Sequence, residues 1–364
     1  MSGLHFNKEK VLNILEGILD KSQIVNINNF SNEIIIDVIP SNPTHKSKTE
    51  ISNKIVDFLR KEYSPDFNYK IEFKPMPKSI ESSENHLPNI KNIIAISSAK
   101  GGVGKSTITS NIAVTLCDMG FKVGILDADI YGPSMHIMFG IDSEKPSAVT
   151  INNKSKMQPI ISHGVKVASI GFFVQKQEAV VWRGPMASKA LNQLLWDTHW
   201  GELDYLIVDL PPGTGDIHLS LVQSIPLDGA IVVSTPQSIA LADAEKGINM
   251  FQKESINVPV LGIIENMSYF IASEKPEEKH FIFGKDGAKG LAEKMDINLL
   301  AEIPIEQSIR EAADAGRPVV LQNNTVTSER FLELARKIII VVQKRNIHLP
   351  KTKVVKITHN KGCS

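Results

Sequence analysis

One segment limits the architecture more than any other: Lys100-Gly101-Gly102-Val103-Gly104-Lys105-Ser106-Thr107, directly after the apolar run 93–97 and directly before the helix-patterned stretch 108–118. A strand must stop, and a helix must start, at a turn rich in residues without a Cβ. There, consecutive backbone N–H groups and the positive end of the following helix face one point, which makes a phosphate cradle. Gly101, Gly102, Val103, Gly104 and Thr107 line it, Lys105 is the cation for the β and γ phosphates, and Ser106 is a hydroxyl ligand for Mg²⁺. The strict G-x-x-x-x-G-K-[ST] pattern asks for glycine at position 99, where this chain has Ala99; a variant carrying an extra lysine, Lys100, fits instead.

Two carboxylate-bearing strand ends support the same site. The run 122–126 ends in Asp127-Ala128-Asp129, at a distance from Lys105 that fits one helix, a turn at Gly120 and a short strand in a right-handed crossover. Its carboxyl end is expected beside the phosphate loop. Asp129, the nearer of the pair, can orient attacking water or hold the metal's shell; Asp127 has the same reading or that of a strand-end cap. The run 205–208 leads into Asp209, followed by Leu210-Pro211-Pro212-Gly213-Thr214-Gly215-Asp216. Asp209 is the expected outer-shell Mg²⁺ carboxylate, and 213–216 is a loop able to respond to a γ-phosphate.

Around this site, apolar runs at 93–97, 123–126, 205–208, 230–234 and 260–264 alternate with helix-length segments, which predicts a mostly parallel sheet covered by helices on both faces. Residues 157–161 and 165–170 flank Ser162-His163-Gly164 and read as an inserted β-hairpin. Residues 1–74 read as a small α+β domain in the order α-β-β-α-β. The stretch 75–90, with Pro75, Pro77, Ser79, Ser82, Ser83 and Pro88, has the composition of a linker. The α/β P-loop domain is expected over 91–346 and a tail over 347–364. Strands 260–264 and 299–303 are expected to end at Glu265-Asn266-Met267-Ser268 and Pro304-Ile305, on the rim where a base would lie; Asn266 offers the donor and acceptor of an adenine edge, or caps its own loop.

The loop with Lys100 resembles the deviant P-loop of the MinD, ParA and Mrp branch of nucleotidases. Further blocks narrow this to the Mrp-type (ApbC-like) iron-sulfur carrier ATPases: Asp127-Ala128-Asp129-Ile130-Tyr131-Gly132-Pro133-Ser134, Trp182-Arg183-Gly184-Pro185-Met186, Glu265-Asn266-Met267-Ser268-Tyr269-Phe270 and Ile309-Arg310-Glu311-Ala312-Ala313-Asp314. The resemblance spans residues 93–335. It implies an ATPase that works as a homodimer and delivers clusters to apo-proteins from scaffold partners. Within it, Lys100 reaches the nucleotide of the partner subunit, Lys100, Lys105 and Asp129 are the catalytic residues, Asn266 reads adenine and Pro304 flanks the ring. Residues 1–74 look like the small N-terminal domain many bacterial members carry.

The departure is chemical. Members that carry a cluster place a Cys-x-x-Cys pair just after the Tyr-Phe, and thiolates are the ligands such clusters need. Here residues 271–280 contain no cysteine, and the chain has only Cys117, on the helix after the P-loop, and Cys363, near the end. Cys117 reads as a buried small residue; Cys363 can give one ligand per subunit of a dimer. Two cysteines rule out a disulfide framework and fit a reducing, cytoplasmic setting. No apolar run approaches the roughly 20 residues of a membrane span, and residues 1–15 lack a secretion signal. Forty basic against forty acidic residues leave no excess for nucleic acid, so neither membrane nor nucleic acid is expected as a partner. The competing function is a MinD/ParA-like positioning or partitioning switch without cluster cargo.

Overall fold

Alternating apolar residues along short strands organise the first of two units, residues 1–84. The computed structural model describes residues 6–19, 24–30, 33–38, 45–73, 87, 89–173, 184–272, 278–322, 325–350 and 352. Helix α1 (Lys8–Glu16) starts at Asn7, whose side chain accepts from the Lys10 N–H. Strand β1 (Ile24–Phe30) pairs antiparallel with β2 (Glu33–Val38), and after helix α2 (His45–Glu62) strand β3 (Asn68–Phe73) pairs parallel with β2. Ile34, Ile36 and Val38 alternate onto one sheet face, where Val11 and Leu15 of α1 and Ile55 and Leu59 of α2 join them in a closed core.

The second unit, residues 85–364, opens with β4 (Ile90–Ser97), the phosphate loop and helix α3 (Lys105–Asp118). Strand β5 (Val123–Asp127), the short helix α4 (Met135–Met138) and a separate antiparallel pair, β6 (Ala148–Ile151) and β7 (Lys154–Met157), follow. Next come β8 (Ile160–Ser162), β9 (Val165–Ser169), helix α5 (Gly184–Asp197), β10 (Leu203–Asp209) and α6 (Asp216–Ser224). The chain then runs through β11 (Gly229–Ser234), α7 (Ser238–Gln252), β12 (Val260–Ile271), β13 (Lys279–His280) and α8 (Gly287–Met295). It closes with β14 (Leu299–Ile305), α9 (Gln307–Asp314) and α10 (Val326–His348). The main sheet has the order β13-β12-β11-β4-β10-β5-β9-β8, with β14 also on β12, and only β8 and β13 run antiparallel.

Alternate residues of the central strands feed two separate cores, as burial on both faces demands. Ile93 and Ala95, Leu206 and Val208, and Ala230 and Val232 pack on one side with Leu191 of α5, Leu221 of α6, Ile248 of α7 and Leu291 of α8. Ile94 and Ile96, Tyr205 and Ile207, and Ile231 and Val233 pack on the other with Ile112 of α3 and Phe331 and Ile338 of α10. Helices on both faces of a mostly parallel sheet are the architecture the strand-helix alternation predicts.

Several expected boundaries move. Strands β8 and β9 do form a hairpin across His163 and Gly164, both at positive φ, yet β9 pairs parallel with β5. The hairpin is therefore the edge of the main sheet rather than an insertion, because its apolar Val165 and Val167 complete a core that β5 alone would leave open. Strand β12 runs on through Asn266 to Ile271, and β14 runs through Pro304; neither ends where its polar residues or proline suggested. The pairing of β12 with β14 shifts register between Asn266 and Phe270, opposite Pro304, so the residue that cannot donate to the ladder lies at an irregularity. Helix α10 continues to His348, past the expected boundary at 346, and Arg345, 3.4 Å from the Asp228 carboxylate, also donates to the Pro350 carbonyl and the Thr352 hydroxyl.

Candidate active site

Strand order brings the polar residues together. Strand β10 lies between β4 and β5, with Asp209 opposite both Ile96 and Asp127, so the ends of three adjacent parallel strands face the phosphate loop. Gly102 and Gly104 take positive φ (79° and 83°), the backbone that lets the loop curl before α3 starts at Lys105. Gly101 and Gly102 are exposed, Val103 is buried, and Ser106 and Thr107 are half-buried.

Lys105 is the hub. Its side chain is 6% exposed, with the ammonium 2.7 Å from Asp209 and 3.4 Å from Asp129. Burial works against its charge, but Asp209 and Asp129 outweigh burial and hold it above the ordinary lysine value. Ser106 Oγ donates to one Asp209 oxygen (2.6 Å) and Thr109 Oγ1 to the other (2.7 Å). Burial pushes Asp129 up despite Lys105 beside it, and one of its oxygens accepts from the Gly132 N–H. Thr109 was not singled out in the sequence, though it lies one helical turn beyond Lys105 and so shares its face.

Asp127 behaves as a tie. Its carboxyl accepts from Ser169 Oγ (2.7 Å) and from the Ser134 and Met135 N–H groups, joining β5 to β9 and to the start of α4; burial, with the charge of Asp209, pushes it up to about 7. Of its two sequence readings, the geometry matches the cap. Asn266 is 6% exposed and its Nδ2 donates to the Val103 carbonyl (2.8 Å), which places it against the phosphate loop. Pro304 is buried in β14. Lys100 is half-buried and forms no ion pair with a described residue. The Trp182-Arg183 part of one motif, and Cys363, lie outside the described residues.

The donor set suits Mg²⁺. Ser106, Asp209 and Asp129 offer only oxygen, the donor type a hard cation takes. The loop after Asp209 is tied down along its length: the Leu210 N–H donates to the Ile96 carbonyl (3.0 Å), the Gly213 N–H to the Ser98 carbonyl (2.9 Å), and His218, 3% exposed on α6, contacts the Pro211 carbonyl through Nδ1 (3.0 Å).

Burial pushes the His218 imidazole down from 6.5 to about 4. Above pH 6.5 it is neutral whether the chain is folded or not, so it has no effect there. As pH falls from 6.5 to 4 the unfolded chain takes up a proton that the folded one refuses, and stability drops. The His218→Asn variant should lack this slope, so between pH 7 and pH 5 wild type should lose about 2 kcal/mol more than the variant in urea unfolding. Parallel curves would remove the buried, neutral assignment.

Residues 89–339 match the family described as ParA: NUBPL iron-transfer P-loop NTPase. The chain is 44% identical over 261 residues to an iron-sulfur cluster carrier protein of Aquifex aeolicus, covering 71% of this chain and 70% of that one. It is 48% identical to the iron-sulfur cluster transfer protein NUBPL of Dictyostelium discoideum, covering 70% of this chain and 77% of the relative. Among solved structures, a nucleotide-binding protein of Archaeoglobus fulgidus in complex with ADP superposes with a TM-score of 0.57 at 37% identity, covering 67% of this chain and 93% of that one.

Proposed function

Because this chain belongs to the ParA/NUBPL family of iron-transfer P-loop NTPases, we propose that it binds ATP with Mg²⁺, hydrolyses it as a nucleotide-switched homodimer, and serves the delivery of iron-sulfur clusters from scaffolds to apo-proteins. The observation that carries this reading is the convergence of Lys105, Ser106, Asp129 and Asp209 at the mouth of the phosphate loop.

In this reading the loop amides and Lys105 take the β and γ phosphates, and Lys105 exchanges part of its contact with the carboxylates for the phosphate oxygens. Mg²⁺, held by Ser106 with Asp209 and Asp129 in its outer shell, would neutralise phosphate charge. Asp129 accepts a hydrogen bond from the attacking water. The water oxygen bonds to the γ phosphorus as the bond to the β–γ bridging oxygen breaks; ADP leaves with that electron pair, and the water's proton goes to the released phosphate. Lys100 of the partner subunit adds positive charge in the transition state. Loss of the γ-phosphate frees residues 213–216, and with them the face the dimer presents.

The cargo end departs from the family pattern. Cys117 is a poor cluster ligand: it is half-buried in α3, a Cβ at Gly164 would come within 2.6 Å of its sulfur, and burial pushes its thiol up. Cys363 is the remaining candidate, one from each subunit. Anaerobic reconstitution with iron and sulfide, followed by metal and sulfide analysis and a visible spectrum, should give wild type a bound cluster that Cys363→Ser lacks. No cluster in either protein would favour the second reading, a MinD- or ParA-like switch that acts without cargo ligands of its own; the cysteine-free residues 271–280 favour that reading. Two cysteines in 364 residues suit a reducing cytoplasm as its compartment. Among the described residues no helix is long and apolar enough to cross a membrane.

A further inference from the structure

We propose that His218 is a positioning residue for hydrolysis: it anchors the Pro211 carbonyl, so that a γ-phosphate can move residues 213–216 without displacing Asp209. The inference rests on the proposed function, ATP hydrolysis at the phosphate loop.

Two prolines make this segment hard to hold. Leu210 donates its N–H to the Ile96 carbonyl (3.0 Å) and Gly213 its N–H to the Ser98 carbonyl (2.9 Å), but Pro211 and Pro212 between them have no N–H to give. Only their carbonyls can join a hydrogen bond, and each needs a donor from elsewhere. His218 supplies one, with Nδ1 3.0 Å from the Pro211 oxygen. A carbonyl only accepts, so the imidazole proton is on Nδ1 and Nε2 carries the lone pair.

That second nitrogen shows what the position is for. Nε2 is buried with no hydrogen-bond partner among the described residues, in a residue 3% exposed. A leucine would fill the same space with no polar atom to desolvate, so an imidazole there costs stability that the Nδ1–H bond must offset. The ring is held in turn by Phe251 of α7, edge to face at 6.0 Å. One turn earlier on α7, a Cβ at Gly247 would lie 3.5 Å from the Ala99 side chain and 4.0 Å from that of Thr214. Helix α7 thus backs the start of the phosphate loop, the loop after Asp209 and the His218 ring at once. The anchored part ends at Gly213, whose φ of +107° is backbone that glycine adopts freely, as a hinge requires.

The kinetic consequence follows from what lies beside the anchor. Asp209, two residues before Pro211, accepts from both Ser106 and Thr109. A segment free to drift at Pro211 would carry Asp209 with it and misplace the group that must be fixed for the chemical step. The glycine-rich loop and Lys105 belong to a different stretch of chain and would still take the phosphates. The loss should therefore fall on kcat and spare KM.

The test is steady-state ATP hydrolysis with Mg²⁺ by the full chain as wild type, His218→Leu, His218→Asn and His218→Gln. The Asn amide nitrogen falls where Nδ1 is and the Gln amide nitrogen where Nε2 is, so only Asn restores the donor to Pro211. His218→Leu and His218→Gln should lose about tenfold in kcat, the yield of one hydrogen bond, with KM for ATP within twofold of wild type. His218→Asn should stay within about threefold of wild type in both. Amide exchange at Gly213, followed without nucleotide, should be faster in the Leu and Gln variants than in wild type and His218→Asn. If His218→Leu does not fold, the Asn and Gln pair makes the same comparison between two polar side chains. Equal kcat in that pair, or a raised KM at unchanged kcat, would overturn the proposal. Wild type that hydrolyses no ATP would instead defeat the proposed function, a result distinct from active wild type matched by all its His218 variants.

Discussion

Replacing Lys105 with alanine is expected to lower ATP affinity at least about a hundredfold, the scale of a buried charge-assisted contact to phosphate. The same change should also weaken the protein without nucleotide. In wild type the ammonium lies 2.7 Å from a fully buried Asp209 and 3.4 Å from Asp129. Removing it leaves carboxylates crowded together in a dry pocket, which costs about 3–5 kcal/mol when a buried charge loses its partner. The cost depends on pH with a definite sign. Asp127 already stands at about 7 in the folded protein, well above its unfolded value, so the carboxyls relieve their repulsion by holding a proton at low pH and lose that relief as pH rises through the folded value. The variant should therefore fall further behind wild type at pH 8 than at pH 6 in urea unfolding. Submicromolar ATP binding retained by Lys105→Ala would sink the site assignment, and an equal stability gap at both pH values would sink the account of the carboxylates.

Lys100→Ala should behave in the opposite way. Lys100 makes no ion pair with a described residue, so its removal should leave nucleotide affinity within about threefold and stability unchanged. Turnover should fall about a thousandfold, the effect of a cation delivered in trans to a phosphoryl-transfer transition state. If turnover needs a homodimer, as proposed, wild-type specific activity should rise with protein concentration, whereas the variant's should stay flat. Normal turnover by a monomeric Lys100→Ala protein would end the cross-subunit role.

The phosphate loop was legible because each of its residues has a chemical task at a fixed spacing, and the strand before it and helix after it were legible because a buried strand and a buried helix have distinct lengths. Asp209 was legible as a carboxylate at the end of an apolar strand, and its place beside Lys105 follows from β10 entering between β4 and β5. What the sequence hid was long-range. Asp127 and Asp129 are chemically alike, and only the three-dimensional positions of Ser169, Ser134 and Met135 make the first a tie. Asn266 looked like part of a loop because polar residues are poor strand formers, but β14 alongside it, and the partners of Glu265 in the Ser268 hydroxyl and the Ala288 N–H, override that preference. His218 carries no motif at all; its closed environment appears only once α6 and α7 are packed, with the Phe251 ring 6.0 Å away.

Strand β10 also has a consequence for how the protein is made. Its two neighbours, β4 (from Ile90) and β5 (from Val123), leave the ribosome well before it does (from Leu203), and each then presents an unpaired strand edge toward the slot that β10 fills. Until Asp209 emerges, Ser106 and Thr109 lack the acceptor that lies 103 and 100 residues further on, and Lys105 lacks its nearest counter-charge. A nascent chain that already contains the entire glycine-rich loop therefore has no finished place for a nucleotide.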